Sequence, residues 1–370
     1  MRRGSVCLRN ILILLAVIIL VSYAVNDSHG EDSFLGRLQS GIGILMEEID
    51  SGEFTEKIHD LFLSRENRSQ KSTDENAGQM TLEPPEEHLF SVANIELGMT
   101  KNEVEALYGA PQRITRNEYN TDWHIYHQYY QNFFLVSYQE DGRVSALFTN
   151  QDLIASENGI RYGTPKETVL AAMGEPLTAI QKGFVQYKLP EDREFDIFYQ
   201  YGNYITVFYD QLENETVTAI LIVSDKLEKE KPGIYQNADE TLREGFEYTL
   251  FDLTNAERVK HGLNPLKWDD NVRSTAREHS EDMAQNGFFS HTNLRGQSPF
   301  DRMKEDRILF TFAGENLAYG QFSSIYAHEG LFNSPGHRKN ILEKRYVYAG
   351  VGVAFNKNHE PFFTQKFYAR

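Results

Sequence analysis

The residues of this sequence that could carry chemistry are histidines that lie close to serines. Ser290 directly precedes His291, and Ser334 lies three residues before His337. Because adjacent side chains diverge, Ser290 and His291 do not form a nucleophile–base pair. Ser334 is followed by a proline, which predicts that it caps a helix over residues 335–342. These spacings argue against a serine-type hydrolase.

Three further histidines lie in patterns that are typical of structural residues. His279 falls on the apolar face of a predicted helix, where a single histidine is more often a hydrogen-bonded core residue than a ligand. His124 and His127 lie three residues apart in a segment with Trp, Tyr and Ile, which favours a strand. In a strand these two imidazoles point to opposite faces, so we expect no metal site there.

Composition excludes several classes of function. The only cysteine, Cys7, lies in the N-terminal targeting region, which excludes an internal disulfide and a cysteine nucleophile from the folded part. The formal net charge of −17 argues against a nucleic-acid partner, because phosphates would be repelled. A length of 370 residues predicts about two domains that are stabilised by burial alone.

Residues 1–25 have the pattern of an export signal. Three arginines precede an uninterrupted apolar run at residues 11–21, and Ser22-Tyr23-Ala24 is a small-x-small cleavage sequence. The run is short for a membrane span of about 20 residues, so a cleaved signal peptide and an uncleaved anchor both stay open. In either case we expect an extracytoplasmic protein, secreted or anchored at the cell surface, that contacts the membrane only through this segment.

Two stretches are predicted to connect folded parts. Residues 26–90 combine a helical spacer with a polar linker, which we expect to be disordered. Residues 226–244 begin with alternating charges followed by Pro-Gly, which predicts a solvated connector.

An internal repeat occupies residues 91–225. Residues 97–104 return as residues 162–169, and the same offset of 65 residues relates two later glycines and two prolines. In each copy a threonine followed by a glutamate three residues later predicts a capped helix, for Thr100 and for Thr164. Left-handed glycines should close both helices. Aromatic, β-branched segments follow, so each copy is predicted to be a helix packed on an antiparallel meander.

Residues 245–370 change to long helical patterns and carry motifs of a known family. These motifs are AREHSEDM (276–283), FFSHT (288–292), SPFDRM (298–303), AGENLAYG (313–320), NSPGHRKNIL (333–342) and AGVGVA (349–354). In this order they resemble the bacterial pattern of the CAP superfamily of cysteine-rich secretory, antigen 5 and pathogenesis-related-1 proteins. The preceding repeat resembles the CAP-associated N-terminal domain. The resemblance implies an α+β protein, with a C-terminal α-β-α sandwich preceded by the two helix-plus-antiparallel-meander repeats.

The resemblance also implies a set of site residues. In the family, two histidines and two acidic residues line a cavity, and some members bind a divalent cation there. The motifs carry three of these positions onto His291, Glu315 and His337. The second acid is missing, because Ser334 stands at its position and Glu329 is only the nearest acidic residue.

Two interpretations of this set stay open. Two neutral imidazoles and a carboxylate suit Zn²⁺ with an open position for water. The same set could be a structural hydrogen-bonded cluster. Under either interpretation, we expect the three side chains to meet in one partly open cleft.

The predicted function is that of an extracytoplasmic binding protein that takes up a divalent cation and an unidentified envelope or extracellular ligand, without turnover. The alternative is a metal-dependent hydrolase that acts on peptide or cell-envelope material.

Overall fold

The structure, a computed structural model, describes residues 80–370, and its first half alternates short helices with antiparallel strands. In chain order the elements are β1 (Phe90–Val92), α1 (Lys101–Tyr108), β2 (Arg113–Arg116), β3 (Asp122–Gln128), β4 (Gln131–Tyr138), β5 (Val144–Thr149), β6 (Ile154–Ser156), α2 (Lys166–Met173), β7 (Ala179–Lys182), β8 (Val185–Lys188), β9 (Phe195–Gln200), β10 (Asn203–Asp210), β11 (Thr216–Ser224) and α3 (Asp225–Glu230).

Seven of these strands form one antiparallel sheet in the order β2-β3-β4-β5-β11-β10-β9. The two copies meet at the central pair, β5 and β11. Each copy joins the entry of its helix to its own meander in the same way, since Gly98 N donates to Val144 O and Gly163 N donates to Val217 O, both at 2.8 Å. The predicted helix-plus-meander units are therefore present, and the α+β class is confirmed.

The two helices begin differently although their sequences match. Thr100 Oγ1 accepts from Glu103 N at 3.3 Å, and the Glu103 carboxylate accepts from Thr100 N at 2.7 Å, so the capping box of α1 is confirmed. The capping box predicted for α2 is wrong. Pro165 occupies the N-cap and has no side-chain oxygen, while Thr164 Oγ1 accepts instead from Arg161 N at 3.0 Å.

Two glycines end these helices. Gly109 and Gly174 have φ of 74° and 79° with ψ of −157° and −156°. The positive φ is as predicted, but these ψ values lie outside the left-handed helical region, in a region that only glycine adopts readily.

Replacing Gly174 by alanine should lower the free energy of unfolding by about 1–3 kcal/mol, because alanine is strained in this conformation. Urea unfolding followed by circular dichroism would measure the loss. Gly336→Ala is the matched control, since its added methyl group meets no atom and its φ is not positive. That change should be neutral or slightly stabilising, and equal losses in both variants would contradict the interpretation.

The stretch predicted to be a solvated connector is partly helical and partly buried. Helix α3 covers its first residues, and Leu227 packs into the core of the sheet. Glu228 pairs with Lys182 Nζ at 2.5 Å, with less than a tenth of either side chain exposed. The prediction of full solvation is wrong, because this ion pair allows a charged residue of the run to be buried.

The second half of the chain has longer helices around a smaller sheet. Its elements are α4 (Glu240–Lys260), β12 (Lys267–Trp268), α5 (Asp270–Asn286), α6 (Pro299–Glu305), β13 (Phe312–Tyr319), α7 (Ser324–Phe332), α8 (Pro335–Ile341), β14 (Tyr348–Phe355) and β15 (Pro361–Ala369). The four strands lie in the order β12-β14-β15-β13, so β13 is an edge strand.

Helices cover both faces of this sheet. Along β15, Phe363 and Phe367 pack into a core with residues of α4 and α7, whereas Thr364 bonds to Ser280 of α5 on the other face. Helix α5 lies so close to β14 that a Cβ added at Gly352 would be 2.0 Å from Arg277 N. The predicted α-β-α sandwich is confirmed, and the AGVGVA motif supplies the glycine that this approach requires.

The two halves share helix α4. It starts at Glu240, inside the predicted connector, and it packs on β14 and on β2 of the first sheet. Arg113 of β2 donates from Nε to Asp252 at 2.7 Å. A Cβ added at Gly245 would lie 2.0 Å from Arg116 O. The domain boundary in sequence is therefore a packed interface in the structure.

The N-terminal predictions lie mostly outside the described residues. This applies to the signal or anchor at residues 1–25 and to the spacer as far as residue 79. The last part of the predicted linker is ordered, since the Glu96 carboxylate accepts the backbone N–H groups of Glu86, Glu87 and His88 at 2.7–3.0 Å. Between residues 80 and 370, no helix is both long and apolar enough to cross a membrane.

Candidate functional site

Glu315 is the centre of the candidate site. It lies on the edge strand β13, directly opposite Lys366 of the neighbouring strand β15. Lys366 Nζ donates to Glu315 Oε2 at 2.6 Å, and both side chains are almost fully buried. Because strand neighbours alternate between faces, this pair points to the layer formed by α5 and α6.

Helix α6 adds a second cation to the same carboxylate. Arg302 donates from one nitrogen to both oxygens of Glu315, at 3.1 and 2.9 Å. Its other terminal nitrogen donates to the backbone oxygens of His291 and Gln297, at 2.9 and 3.0 Å. A Ser298 capping box fixes the start of α6. Arg302 therefore positions both the carboxylate and the loop that carries His291.

His291 completes the contacts of Glu315. The two side chains are joined by a hydrogen bond of 2.9 Å between Nδ1 and Oε1. A carboxylate accepts, so Nδ1 carries the proton and Nε2 is left as an acceptor on a side chain that is 51% exposed. Burial raises the pKa of Glu315, but the hydrogen bond from His291 and the charges of Lys366 and Arg302 outweigh it and bring this pKa to about 2.

His337 reaches the site from the opposite helical layer. It lies in the first turn of α8, where Ser334 is the N-cap residue and Pro335 follows, as predicted. Its backbone oxygen accepts from Asn316 Nδ2 at 3.2 Å, next to Glu315 in β13. Burial lowers the pKa of His337, and the charge of His291 lowers it further, which indicates that the two imidazoles are electrostatic neighbours.

A polar network supports this edge of the sheet from behind. Asn340 donates to Asn316 Oδ1 at 2.9 Å and to Glu315 O at 3.3 Å. Asn316 in turn donates to Gln365 at 3.3 Å. These side chains tie α8 to β13 and β15, so the position of His337 is set by three separate segments of the chain.

The sequence interpretation did not identify Arg302 and Lys366. Lys366 lies between the aromatic pairs at residues 362–363 and 367–368, where a charged side chain is unusual, and this was the available signal. Arg302 stands in the SPFDRM motif, but nothing in its local sequence indicates that it is buried.

The donor set does not fit a divalent cation as the structure arranges it. Both oxygens of Glu315 already accept hydrogen bonds from cationic side chains, Oε1 from Arg302 and Oε2 from Arg302 and Lys366. A bound metal ion would add a third positive charge beside Arg302 and Lys366. Across residues 80–370, no group of three histidine, cysteine, aspartate or glutamate side chains is arranged to hold a metal ion. Zinc binding by His291, Glu315 and His337 stays a prediction, which direct titration with Zn²⁺ would test.

The other histidines considered from the sequence have structural contacts. His279 is buried on α5, with Nε2 at 2.9 Å from Ser290 O, and burial lowers its pKa to about 4. His124 packs edge-on against Tyr138 with ring centroids 4.8 Å apart. His127 stacks on Tyr130 at 4.2 Å.

Glu329, the nearest acidic residue in the sequence, does not join the cleft. It is buried on α7, and the charges that act on it belong to Glu257, Lys260, Glu194 and Asp210. Two of these lie on α4 and two in the first half of the chain, so Glu329 belongs to the interface between the halves.

Family models match both halves of the chain. Residues 97–233 match the CAP-associated N-terminal family, and residues 251–367 match the cysteine-rich secretory protein family, CAP.

Two relatives come from Bacillus subtilis (strain 168). One is described as the uncharacterized membrane protein YlbC and is 29% identical over 325 residues, which cover 83% of this chain and 91% of the relative. The other is described as the uncharacterized protein YkwD and is 43% identical over 107 residues, which cover 29% of this chain and 42% of the relative.

Two solved structures are similar over most of the chain. An extracellular SCP-domain protein from Bacillus anthracis str. Ames has a TM-score of 0.64 at 24% identity, covering 79% of this chain and 99% of that one. A cysteine-rich secretory protein from Staphylococcus aureus subsp. aureus Mu50 has a TM-score of 0.58 at 14% identity, covering 76% and 93%. At these identities the likeness shows the fold.

Proposed function

The chain belongs to the CAP superfamily, with a CAP-associated N-terminal domain ahead of its CAP domain, and we propose that it is an extracytoplasmic binding protein. Its cleft, formed by His291, Glu315 and His337, receives an acidic group of an envelope or extracellular ligand. The ligand is bound and released without turnover.

The extracytoplasmic location has support from sequence and from relatives. Residues 1–25 have the pattern of an export signal or anchor. The relative YlbC is described as a membrane protein, and the similar Bacillus anthracis structure is described as extracellular.

The charge balance beneath the cleft is the observation that carries the binding proposal. Two buried cations, Arg302 and Lys366, share the single carboxylate of Glu315. These three groups in direct contact carry one excess positive charge in a medium of low polarity, where charges act over longer distances, and the more distant carboxylate of Asp306 offsets part of it at Lys366. The exposed edge of His291 lies directly above it. A carboxylate on a ligand would be attracted to this position, and a metal cation would be repelled.

The pH dependence of binding distinguishes an acidic ligand from a metal ion. N-acetylalanine should bind more tightly as the pH falls from about 7.5 to about 5, because protonation of His337, whose pKa is lowered by burial, adds positive charge to the cleft at the acidic end. A Zn²⁺ ion needs neutral imidazoles, so its affinity would change in the opposite direction. Calorimetric titrations of the full-length chain with each probe at both pH values would measure these trends.

Variants complete this test. His337→Ala should weaken N-acetylalanine binding and flatten its pH dependence, while alaninamide, which lacks the carboxylate, should not bind. His359→Ala replaces a histidine of the turn before β15 and should leave binding unchanged. Zinc binding that His337→Ala removes, together with release of products from a peptide and cell-wall pool, would favour the metal-dependent hydrolase and contradict the proposal.

A further inference from the structure

The segment that carries His337 is held by the CAP-associated domain. Residues 333–338 join α7 to the first turn of α8, and they lie against the end of strand β10. Asn333 Oδ1 accepts from Gln211 N at 2.8 Å, and Asn333 Nδ2 donates to Tyr209 O at 3.0 Å. One asparagine side chain therefore bonds to the backbone of the other half of the protein through both of its polar atoms.

An ion pair adds a second tie next to His337. Arg338 donates from one terminal nitrogen to Asp210 Oδ1 at 2.8 Å, and only 13% and 10% of these two side chains are exposed. The Nε of Arg338 donates to Phe332 O at 2.6 Å, and its guanidinium group lies 4.2 Å from the centroid of the Phe332 ring. Arg338 therefore connects the end of α7, the first half of α8 and the end of β10.

The local sequence does not fix the start of α8 on its own. Ser334 is the N-cap residue, but its side chain makes no capping hydrogen bond, whereas Ser298 forms a capping box at the start of α6. Gly336 directly precedes His337 and leaves the backbone of the first turn permissive. A helix of seven residues is also too short to be stable without tertiary contacts. The direction of His337 therefore depends on bonds to other segments.

The acidic residue that meets Arg338 is not a general property of the repeat. The bulge between the last two strands of the meander falls at Ser137/Tyr138 in the first copy and at Phe208/Tyr209 in the second. Asp210 therefore corresponds to the uncharged Gln139. Within its own turn, Asp210 Oδ1 also accepts from the backbone N–H groups of residues 212 and 213, both at 2.9 Å. These bonds orient the carboxylate that Arg338 contacts.

We propose that the CAP-associated domain positions the cleft of the CAP domain, with Asp210 as a positioning residue that orients His337 through Arg338. The bonds of Asn333 and Arg338 hold the start of α8 from the side of the CAP-associated domain, while Asn340 holds its other end against β13. The domain ahead of the CAP fold is thus part of the construction of the cleft. This inference rests on the proposed function only for the role of His337 in binding.

The effect of Asp210 on His337 is one of position. The lowered pKa of His337 has two causes, burial and the charge of His291, and the charge of Asp210 is not among them. A response of the His337 imidazole to a substitution at Asp210 therefore reports a change in the placement of α8.

The test replaces Asp210 by asparagine in the full-length chain, which keeps Oδ1 for the turn and removes the charge that holds Arg338. The imidazole signals of His337 in a carbon–proton NMR spectrum, assigned through His337→Ala, should shift. N-acetylalanine should bind roughly fivefold or more weakly by calorimetry. Arg338→Gln should have the same two effects, and the double variant should be no worse than either single one, because both substitutions remove one interaction.

Arg113→Gln is the matched control. It breaks another ion pair between the two halves, with Asp252 at 2.7 Å, but Asp252 lies in α4 and not in the segment that carries His337. The His337 signals and the affinity for N-acetylalanine should equal those of the wild type, even where the free energy of unfolding is lower. A general weakening of the interface would instead affect all three single variants alike.

Three results would overturn the inference. They are His337 signals that stay unchanged in both Asp210→Asn and Arg338→Gln, shifts of the same size in Arg113→Gln, and unchanged affinity in both variants where the wild type binds N-acetylalanine. The first two are measured without a ligand. If the wild type does not bind N-acetylalanine, the proposed function fails, while the NMR comparison still decides the positioning role of Asp210.

Discussion

Replacing Glu315 by alanine should lower the free energy of unfolding by about 3–5 kcal/mol, because it leaves two buried cations without their shared partner. Arg302 is 6% exposed and Lys366 is fully buried, so water cannot replace the lost carboxylate. Burial already lowers the pKa of Lys366, and the charge of Glu315 is what opposes that effect. Urea unfolding of the full-length chain near neutral pH would measure the loss.

Two further variants separate this cause from the simple loss of a side chain. Glu343→Ala removes a carboxylate that pairs with Arg345 at the surface, where 58% of the arginine side chain is exposed, and it should change stability little. Adding Lys366→Met to Glu315→Ala should recover part of the lost stability, because one uncompensated charge is removed. An effect of Glu315→Ala as small as that of Glu343→Ala would contradict the importance of the buried cations.

The sequence predicted the acidic residue at the centre of this site but not the buried cations that surround it. Glu315 and His291 were identified by motifs, and they form a direct hydrogen bond. Lys366 is 51 residues away from Glu315 in the chain and meets it only through the pairing of β13 with β15. Such a pairing register is set by tertiary packing, so local periodicity cannot reveal which buried charges will share a partner.

The fold was more predictable where the signal was local. The capping box of Thr100 depends on residues three apart and is present, and the glycines that close both repeat helices have positive φ. One local prediction failed, the capping box of α2, because Pro165 occupies its N-cap. The other failures arise where distant segments meet. Helix α4 has no local feature to show that Gly245 must accommodate Arg116 O of the first sheet. The buried Lys182–Glu228 pair likewise links residues from different elements.

Glu329 is an example of how this interface changes the interpretation of an acidic residue. Its position in the sequence suggested an acid of the cleft. In the structure it is only 3% exposed, and its Oε1 has no hydrogen-bond partner among residues 80–370. Burial raises the pKa of Glu329 to about 8, with a further contribution from the nearby carboxylate of Glu257 that Lys260 partly offsets. At neutral pH the folded protein therefore holds this side chain protonated.

The Glu329→Gln variant should remove a large part of the loss of stability that the protein suffers as the pH rises. The pKa of Glu329 is about 8 in the folded protein, whereas its reference value is 4.5. The contribution of this group to the free energy of unfolding is therefore fully present at pH values below that reference value. It falls as the pH rises and is fully lost once the pH passes the folded pKa, by roughly 5 kcal/mol in total, since each pKa unit corresponds to about 1.4 kcal/mol. Urea unfolding from about pH 5 to about pH 9 should show a flatter profile for Glu329→Gln, which should be the more stable protein at the alkaline end. Glu167→Gln makes the same change at an exposed position of α2 and should keep the wild-type slope. Parallel profiles for wild type and Glu329→Gln would show that Glu329 is ionised in the folded protein.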